Sequence, residues 1–484
     1  MKRQSASGTT MIRTLPRSVG SFLVICVVAL ALLRTGQAQQ LLAPLDDMNV
    51  NASRAGIVDV VNISTSANNS TEGQQWEQLG FCHIALVIPF TVMPPTGRLK
   101  LPFVDDIIGG MAAAHLALDM LNKGDGSIVS ELEGLPQRCP IRFTSETLDS
   151  TANAALTVDQ VNKVLQRTTP IEREVCAFIG ANRSPVTLPM AILTGLANRP
   201  QLTPWAVTSQ FDDKNTFPLL GRLITSELGQ VIPLLLYLKS KNVNHLGLII
   251  FNNSYGKAYV DSLLQQALVY HEDLKVFVTE IPLDGATPED YEKAIDALVR
   301  SKYRWFFCLF TAANYYVPAM NEATKRGISG PDFVWMFNSG TLIVETSNMV
   351  VEKGSDLHLA THGIGSFSSQ NGRPGIPEFD RFAKRWQDLA NSSDDLDYLT
   401  AKLPEYTEPD FLGPKVTSSS FGADPSIFAS TMFDETIMLG LAACAAADSE
   451  DSITVDGNVM FQHMLSTTFQ GATGKKLINV RAGR

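Results

Sequence analysis

The sequence predicts an α/β protein built as two doubly wound, Rossmann-like lobes. Three observations carry that expectation. Its short apolar runs are continuous rather than alternating, which marks strands buried on both faces of a parallel sheet. Helical patterns separate these runs at a spacing of a few tens of residues, so the unit that repeats is βαβ. Seven such runs over about 400 residues exceed one comfortable core and divide naturally between two lobes.

In order, the runs are His83 to Phe90, Ile141 to Phe143, Val175 to Gly180, His245 to Phe251, Lys275 to Ile281, Trp305 to Phe310 and Phe333 to Phe337. After the first, Ile107, Met111, Ala114, Leu118 and Leu121 recur on one helical face, with Asp105 and Asp106 in the first turn and Asn122 to Gly124 as the stop. After the third, the stretch IGANRSPVTLPMA (179–191) passes from strand to helix, with Ser184 expected at the N-cap and Pro185 at the first helical position. The free amides of such a start suit an anionic or polar ligand. Ligands of doubly wound folds sit outside the carboxyl ends of the strands. That rule singles out four turns, 179–185, 251–256, 309–316 and 337–341, all rich in Asn, Ser, Thr and Tyr.

Before the first run, Lys2, Arg3, Arg13 and Arg17 precede an apolar run from Ser21 to Leu33, and Gly36-Gln37-Ala38 suits a signal peptidase. Residues 1–38 read as a signal peptide rather than an anchor, because the run is far shorter than the roughly 20 residues that span a bilayer. Residues 39–80 read as a flexible leader, with sequons at Asn51, Asn62, Asn68 and Asn69. Asn391 is a fifth expected glycan site, and sequons also stand at Asn182 and Asn252. All this places the chain outside the cell or on its surface. The mature chain would keep Cys82, Cys139, Cys176, Cys308 and Cys444, an odd number, so at least one thiol stays unpaired internally.

A net charge of −10 with no basic stripe excludes a nucleic-acid partner. No nucleophile elbow, Walker A loop, H-E-x-x-H pair or C-x-x-C pair occurs, and the four turns are poor in the His, Asp and Glu that acid–base catalysis uses. Neither an enzyme nor a cofactor is expected.

Five stretches occur in one order: GLPQRCPIRFTSETLDST, VCAFIGANRSPVTLPMAILTGLANRPQLTPWAVTS, FPLLGRLITSELGQ, NSYGKAYVDSLLQQA and STTFQGATGKKLINVRAGR. On them the chain, from about residue 80, resembles the extracellular ligand-binding region of class C G-protein-coupled receptors and receptor guanylate cyclases, which is similar to bacterial type I periplasmic binding proteins. The resemblance implies a clam-shell of two lobes joined by three crossings, lobe 1 holding about 81–223 and 365–470 and lobe 2 about 224–364 and 471–484. It also implies an amino-acid-like or other small polar ligand, a dimer through lobe 1, and a membrane segment outside this chain. Ser184, Thr208, Glu227 and Tyr255 fall on or beside the implied binding positions. Ser339 stands where metabotropic glutamate receptors hold the ligand ammonium with an Asp, and Pro185 where they hold its carboxylate with a Ser. Pro185 offers neither hydroxyl nor N–H, so the usual grip on an α-amino acid is altered. Structural roles stay open beside these: Ser184 as a helix cap, Tyr255 as lobe packing, Thr208 as an ordinary loop hydroxyl.

Cys82 and Cys139 each precede a strand of a neighbouring parallel pair and are the expected disulfide, with Cys176 as the competing partner. Cys308 and Cys444 read as buried thiols. The function these features imply is a receptor ectodomain that closes on its ligand and signals by that closure; the alternative is a secreted or periplasmic solute-binding protein that feeds a transporter.

Overall fold

A computed structural model describes residues 80–91, 104–168, 170, 173–283, 285–310, 313–338, 364–366, 375–404, 415–421, 424–449, 455–476 and 478. The expected signal peptide, the leader up to residue 79 with its sequons Asn51, Asn62, Asn68 and Asn69, and Ser339 lie outside the described residues.

Within them the apolar runs become strands. β1 (Gly80–Ile88), β2 (Ile141–Asp149), β3 (Val175–Gly180), β4 (Gln201–Leu202) and β5 (Leu220–Gly221) form one sheet in the order β2-β1-β3-β4-β5. A second sheet takes β6 (His245–Phe251), β7 (Lys275–Ile281), β8 (Trp305–Cys308), β9 (Val334–Phe337) and β10 (Gly365–Ser366) in the order β10-β9-β8-β6-β7. Every pairing in both sheets is parallel. β3 is buried along its whole length and β6 beyond His245, which is why their sequences do not alternate.

The crossovers are helical. α1 (Val104–Lys123), α2 (Ala154–Gln166) and α3 (Ser184–Leu196) serve the first sheet; α4 (Leu228–Ser240), α5 (Ser254–Tyr270), α6 (Pro288–Ser301) and α7 (Ala313–Lys325) serve the second. The face expected on α1 is the buried one, Ile107, Met111, Ala114, Leu118 and Leu121 all lying in the first core. After β10 the chain returns to that core with α8 (Pro377–Ala390), α9 (Ser393–Thr400), α10 (Ile427–Ser449), α11 (Gly457–Ser466) and an antiparallel hairpin of β11 (Phe469–Gly471) and β12 (Gly474–Lys476).

By length and composition Ile427–Ala447 of α10 could cross a membrane, yet that span is 89% buried inside the protein. It lies against α1 so closely that a Cβ on Gly440 would sit 2.4 Å from Leu121 Cδ1. On the same helix the wholly buried Asp434 accepts hydrogen bonds from the Ala472 N–H (2.7 Å), the Thr473 N–H (2.9 Å) and the Thr473 hydroxyl (2.7 Å), with Lys476 Nζ 3.6 Å away. Those bonds anchor the hairpin to the first lobe. Ala472 and Ile478 join the first core as well, so the described part of the tail packs in lobe 1, not in lobe 2 where it was expected. Conversely, Gly365 and Ser366 pair with β9 and belong to the second sheet.

The disulfides correct the expected pairing of Cys82 with Cys139. Cys82 is bonded to Cys176, and Cys139 to Cys444. Register explains why. Gly80 lies opposite Ile141 and Cys82 opposite Phe143, so Cys139 falls four positions out of line with Cys82, about 13 Å along the strand. Cys176 is instead the extra residue at a shift in the β1–β3 register between His83 and Ile84, and its Cα lies 5.2 Å from that of Cys82. Cys444, taken from the sequence as a free thiol, faces the same core as Cys139 from α10; Cys308 is the buried free thiol among the described residues.

Non-reducing peptide mapping should therefore recover the pairs 82–176 and 139–444, and a peptide joining Cys82 to Cys139 would refute these assignments. Replacing Cys139 with Ser should lower unfolding free energy by about 2–5 kcal/mol, read from a denaturant midpoint. Asp434→Ala, which strands three donors and Lys476, should cost about 3–5 kcal/mol and raise amide exchange selectively across 469–476.

Candidate ligand-binding cleft

In each sheet the strand order reverses direction beside the first strand, between β1 and β3 in one and between β6 and β8 in the other. The turns that leave β3 and β6 at these points are where a doubly wound fold offers a crevice. They carry Asn182–Pro185 and Asn252–Tyr255.

The first turn is fixed from inside the lobe. Thr187 and Thr203 hydroxyls both donate to the Ala181 carbonyl, at 2.9 and 2.7 Å, and Gln201 Nε2 donates to Gly180. Helix α3 begins one residue earlier than its sequence signals suggest: Arg183 occupies the N-cap, and Val186 and Thr187 N–H groups donate to its carbonyl at 2.9 Å. Ser184 is thus the first helical residue and does not cap the helix with its side chain. It is buried.

The second turn depends on a close approach. Asn253 caps α5, its Oδ1 accepting from the Gly256 N–H at 2.9 Å, while the Asn252 N–H donates to the Ile281 carbonyl at 2.9 Å. Any Cβ at 256 would lie 2.1 Å from the Phe251 carbonyl oxygen, so glycine is required there. The tight start sets Tyr255 in the first turn of α5. Helices α3 and α5 pack against each other, and a cavity of ≈ 400 Å³ is lined by Pro185 from one turn and by Asn252, Asn253 and residues 280–283 from the other.

Glu227 stands at the head of α4. Its carboxylate is wholly buried, Oε1 accepting from the Ser209 N–H at 2.5 Å, while Oε2 has no hydrogen-bond partner among the described residues. Its own N–H donates to Val207 at 3.1 Å, tying it to the loop that carries Thr208. Thr208 is buried too; its hydroxyl accepts from the Gln210 N–H at 3.5 Å, and its carbonyl from Arg222 Nη1 at 2.8 Å. Burial raises the Glu227 carboxyl above its usual range, and the Ser209 bond and the Arg222 charge offset this only in part. The Tyr255 phenol is likewise held well above its ordinary value, first by burial and then by the Glu227 carboxylate. Helix α5 also packs against the turn Ser209–Asp212, whose Ser209 N–H holds Glu227. Asn338, just past β9, donates from Nδ2 to Tyr255 Oη at 2.8 Å, and its Oδ1 is buried without a partner.

Of the positions picked out by sequence, Thr208 and Glu227 are tied through the 207–209 loop, Tyr255 is bonded to Asn338, and Ser184 stands at the start of α3. Asn338 went unnoticed there, although it is the first polar residue after an apolar run and directly precedes Ser339.

Comparison with known proteins agrees with the architecture. Residues 128–483 match the receptor family ligand binding region. Over 225 residues the chain is 24% identical to a metabotropic glutamate receptor of Drosophila melanogaster, a match covering 45% of this chain and 23% of that receptor. The aligned stretch is thus less than a quarter of the receptor's length. With parallel sheets in two lobes, a crevice at both switch points and a family match over most of its residues, the chain belongs to the receptor-family ligand-binding regions.

Proposed function

We propose that this chain is the extracellular sensing region of a cell-surface receptor, binding a small polar metabolite between its lobes and signalling by closing on it. One observation carries the reading: the carboxylate of Glu227, at the head of α4, is fully buried with one oxygen unanswered. Leaving a buried acceptor unpaired costs roughly 1–3 kcal/mol, more for a charged group, and a ligand donor that meets it recovers that energy. In this reading Ser184 and Thr208 supply the lobe 1 side and Glu227 and Tyr255 the facing one, with Ser339 as the fifth candidate position. Ligand bound this way touches both walls only when they approach, which couples occupancy to closure.

Two disulfides support an oxidising, extracellular setting, as do the export signal and sequons of the first 80 residues. The sequon at Asn391 ends helix α8 with the residue exposed, where a glycan meets no packing. Ile192 and Leu196 are 44% and 82% exposed on α3, an apolar stripe suited to a dimer through lobe 1.

A thermal-shift screen against a metabolite panel should find a ligand that raises the melting temperature by about 5–10 °C at ~100 times Kd. Tyr255→Ala should remove most of that shift and leave the unliganded midpoint within a few degrees. If the variant binds as the parent does, the cleft assignment is wrong. Small-angle scattering should show a smaller radius of gyration at saturation; an unchanged radius would reduce the molecule to a rigid binding module.

Acidification should weaken any ligand whose cationic group faces Glu227. The carboxyl's folded value is raised by burial, so it takes up a proton at a pH above the ordinary carboxylate range, and the attraction is lost as pH falls through that value. Titrating affinity downward from pH 7 tests the sign, and tightening on acidification would contradict it. Arg222, Tyr255 and Tyr259, the other ionisable groups coupled to Glu227, keep their protons throughout that window.

A further inference from the structure

The orphaned atoms of the cleft share a sign. Among the described residues, the buried side-chain atoms on these turns and at the head of α4 that lack a hydrogen-bond partner include Asn182 Oδ1 on the first turn, Glu227 Oε2 and Asn338 Oδ1 beyond β9. All are acceptors. Ser254 Oγ and Tyr259 Oη, also unpartnered, take either role. The unpartnered buried nitrogens, His115 Nε2, Arg167 Nε and Trp386 Nε1, belong to none of the turns that line the cleft. Turning the Asn338 amide over would give the Tyr255 hydroxyl an acceptor and point N–H inward instead, but an ionised carboxylate has no such alternative. Glu227 therefore fixes the sign.

On the opposite wall, the means of holding a ligand carboxylate are weak. Pro185 has neither N–H nor hydroxyl at the helix start. Arg183, the cation of that turn, already has an interaction within the chain. Arg222 is committed to the Thr208 carbonyl and Asp212.

Resting on the cleft reading above, we propose that the ligand is an amine: a cationic, donor-rich head with no α-carboxylate beside it, its N–H groups meeting Glu227 Oε2 and the Tyr255–Asn338 pair. A primary ammonium carries three donors and no acceptor, which is the complement of these orphaned oxygens. A zwitterionic amino acid would bring the same donors together with an acceptor that this cleft leaves without a dedicated partner, and that desolvated charge would oppose binding.

Matched pairs test this directly: histidine against histamine, tyrosine against tyramine and ornithine against putrescine, each measured by thermal shift and calorimetry on the mature chain. At least one amine should raise the melting temperature by several degrees and bind at least tenfold more tightly than its parent amino acid. Glu227→Gln, which keeps an acceptor for the Ser209 N–H, should weaken that amine at least tenfold. Tyr255→Phe and Asn338→Ala should each weaken it severalfold, and they carry the test if the Glu227 variant fails to fold. An amino acid that matches or exceeds its amine overturns the proposal, while loss of its binding in Tyr255→Ala would still uphold the cleft. A panel in which no amine shifts the midpoint overturns it as well, and the fate of the cleft then rests on the wider metabolite screen.

Discussion

The return of α10 to α1 is the contact on which the rest of the molecule depends. More than 300 residues separate the two helices, and the chain builds a whole second sheet before coming back. Close approach at Gly440, the Cys139–Cys444 bond and the Asp434 anchor of the final hairpin all act on that single seam. Because lobe 1 is completed by residues that lie beyond lobe 2, lobe 1 is not a simple segment of sequence. The chain has to pass between them more than once, and each passage is a place where their relative orientation can change without disturbing either core.

One of those passages runs directly into the cleft. Arg222 to Ser226 follows β5, borders a cavity of ≈ 390 Å³ that also takes in Lys214 and Ile478, and delivers Glu227 to the head of α4. The Lys214 ammonium there donates to the Phe211 and Leu220 carbonyls at 2.9 and 2.6 Å, and burial with the Arg222 charge beside it lowers its pKa to about 8. Glu227 is therefore attached to a crossing whose approach is held by Lys214 and Arg222. Burial there disfavours the ionisation of the Glu227 carboxylate, and a positive charge brought against it would favour it again.

Much of the fold was legible in the sequence because its signals are dense. β3, β6 and β7 begin and end where their apolar runs do, and α1 buries the face its periodicity marks. β4, β5 and β10 are two residues each, too short for any pattern, and exist only because a longer strand lies beside them. Disulfide partners escaped for a related reason: adjacency of strands was readable, but the register that separates Cys82 from Cys139 and the shift that admits Cys176 are properties of the assembled sheet. The tail was placed in the wrong lobe because Asp434 lies in the middle of an apolar helix, and its hold on Thr473 has no local signature. At the candidate site, strand ends led to Tyr255 and to the turn that holds Asn338, Thr208 and Glu227 came from the family resemblance, and Asn338 itself stood out only through the hydroxyl it touches.

The apolar helix α10 also bears on how such a chain is made. To a translocation channel that samples each segment as it passes, Ile427–Ala447 is long and greasy enough to be released sideways into lipid. Adjacent carboxylates at Asp434 and Glu435 sit well inside that segment, each carrying a penalty of roughly 2–3 kcal/mol near the centre of a bilayer. The folded protein gives Asp434 its N–H donors and keeps both residues out of water. Asp434, which pins the last hairpin, and Glu435 beside it thus make this core helix a poorer membrane span than its length and hydropathy alone suggest.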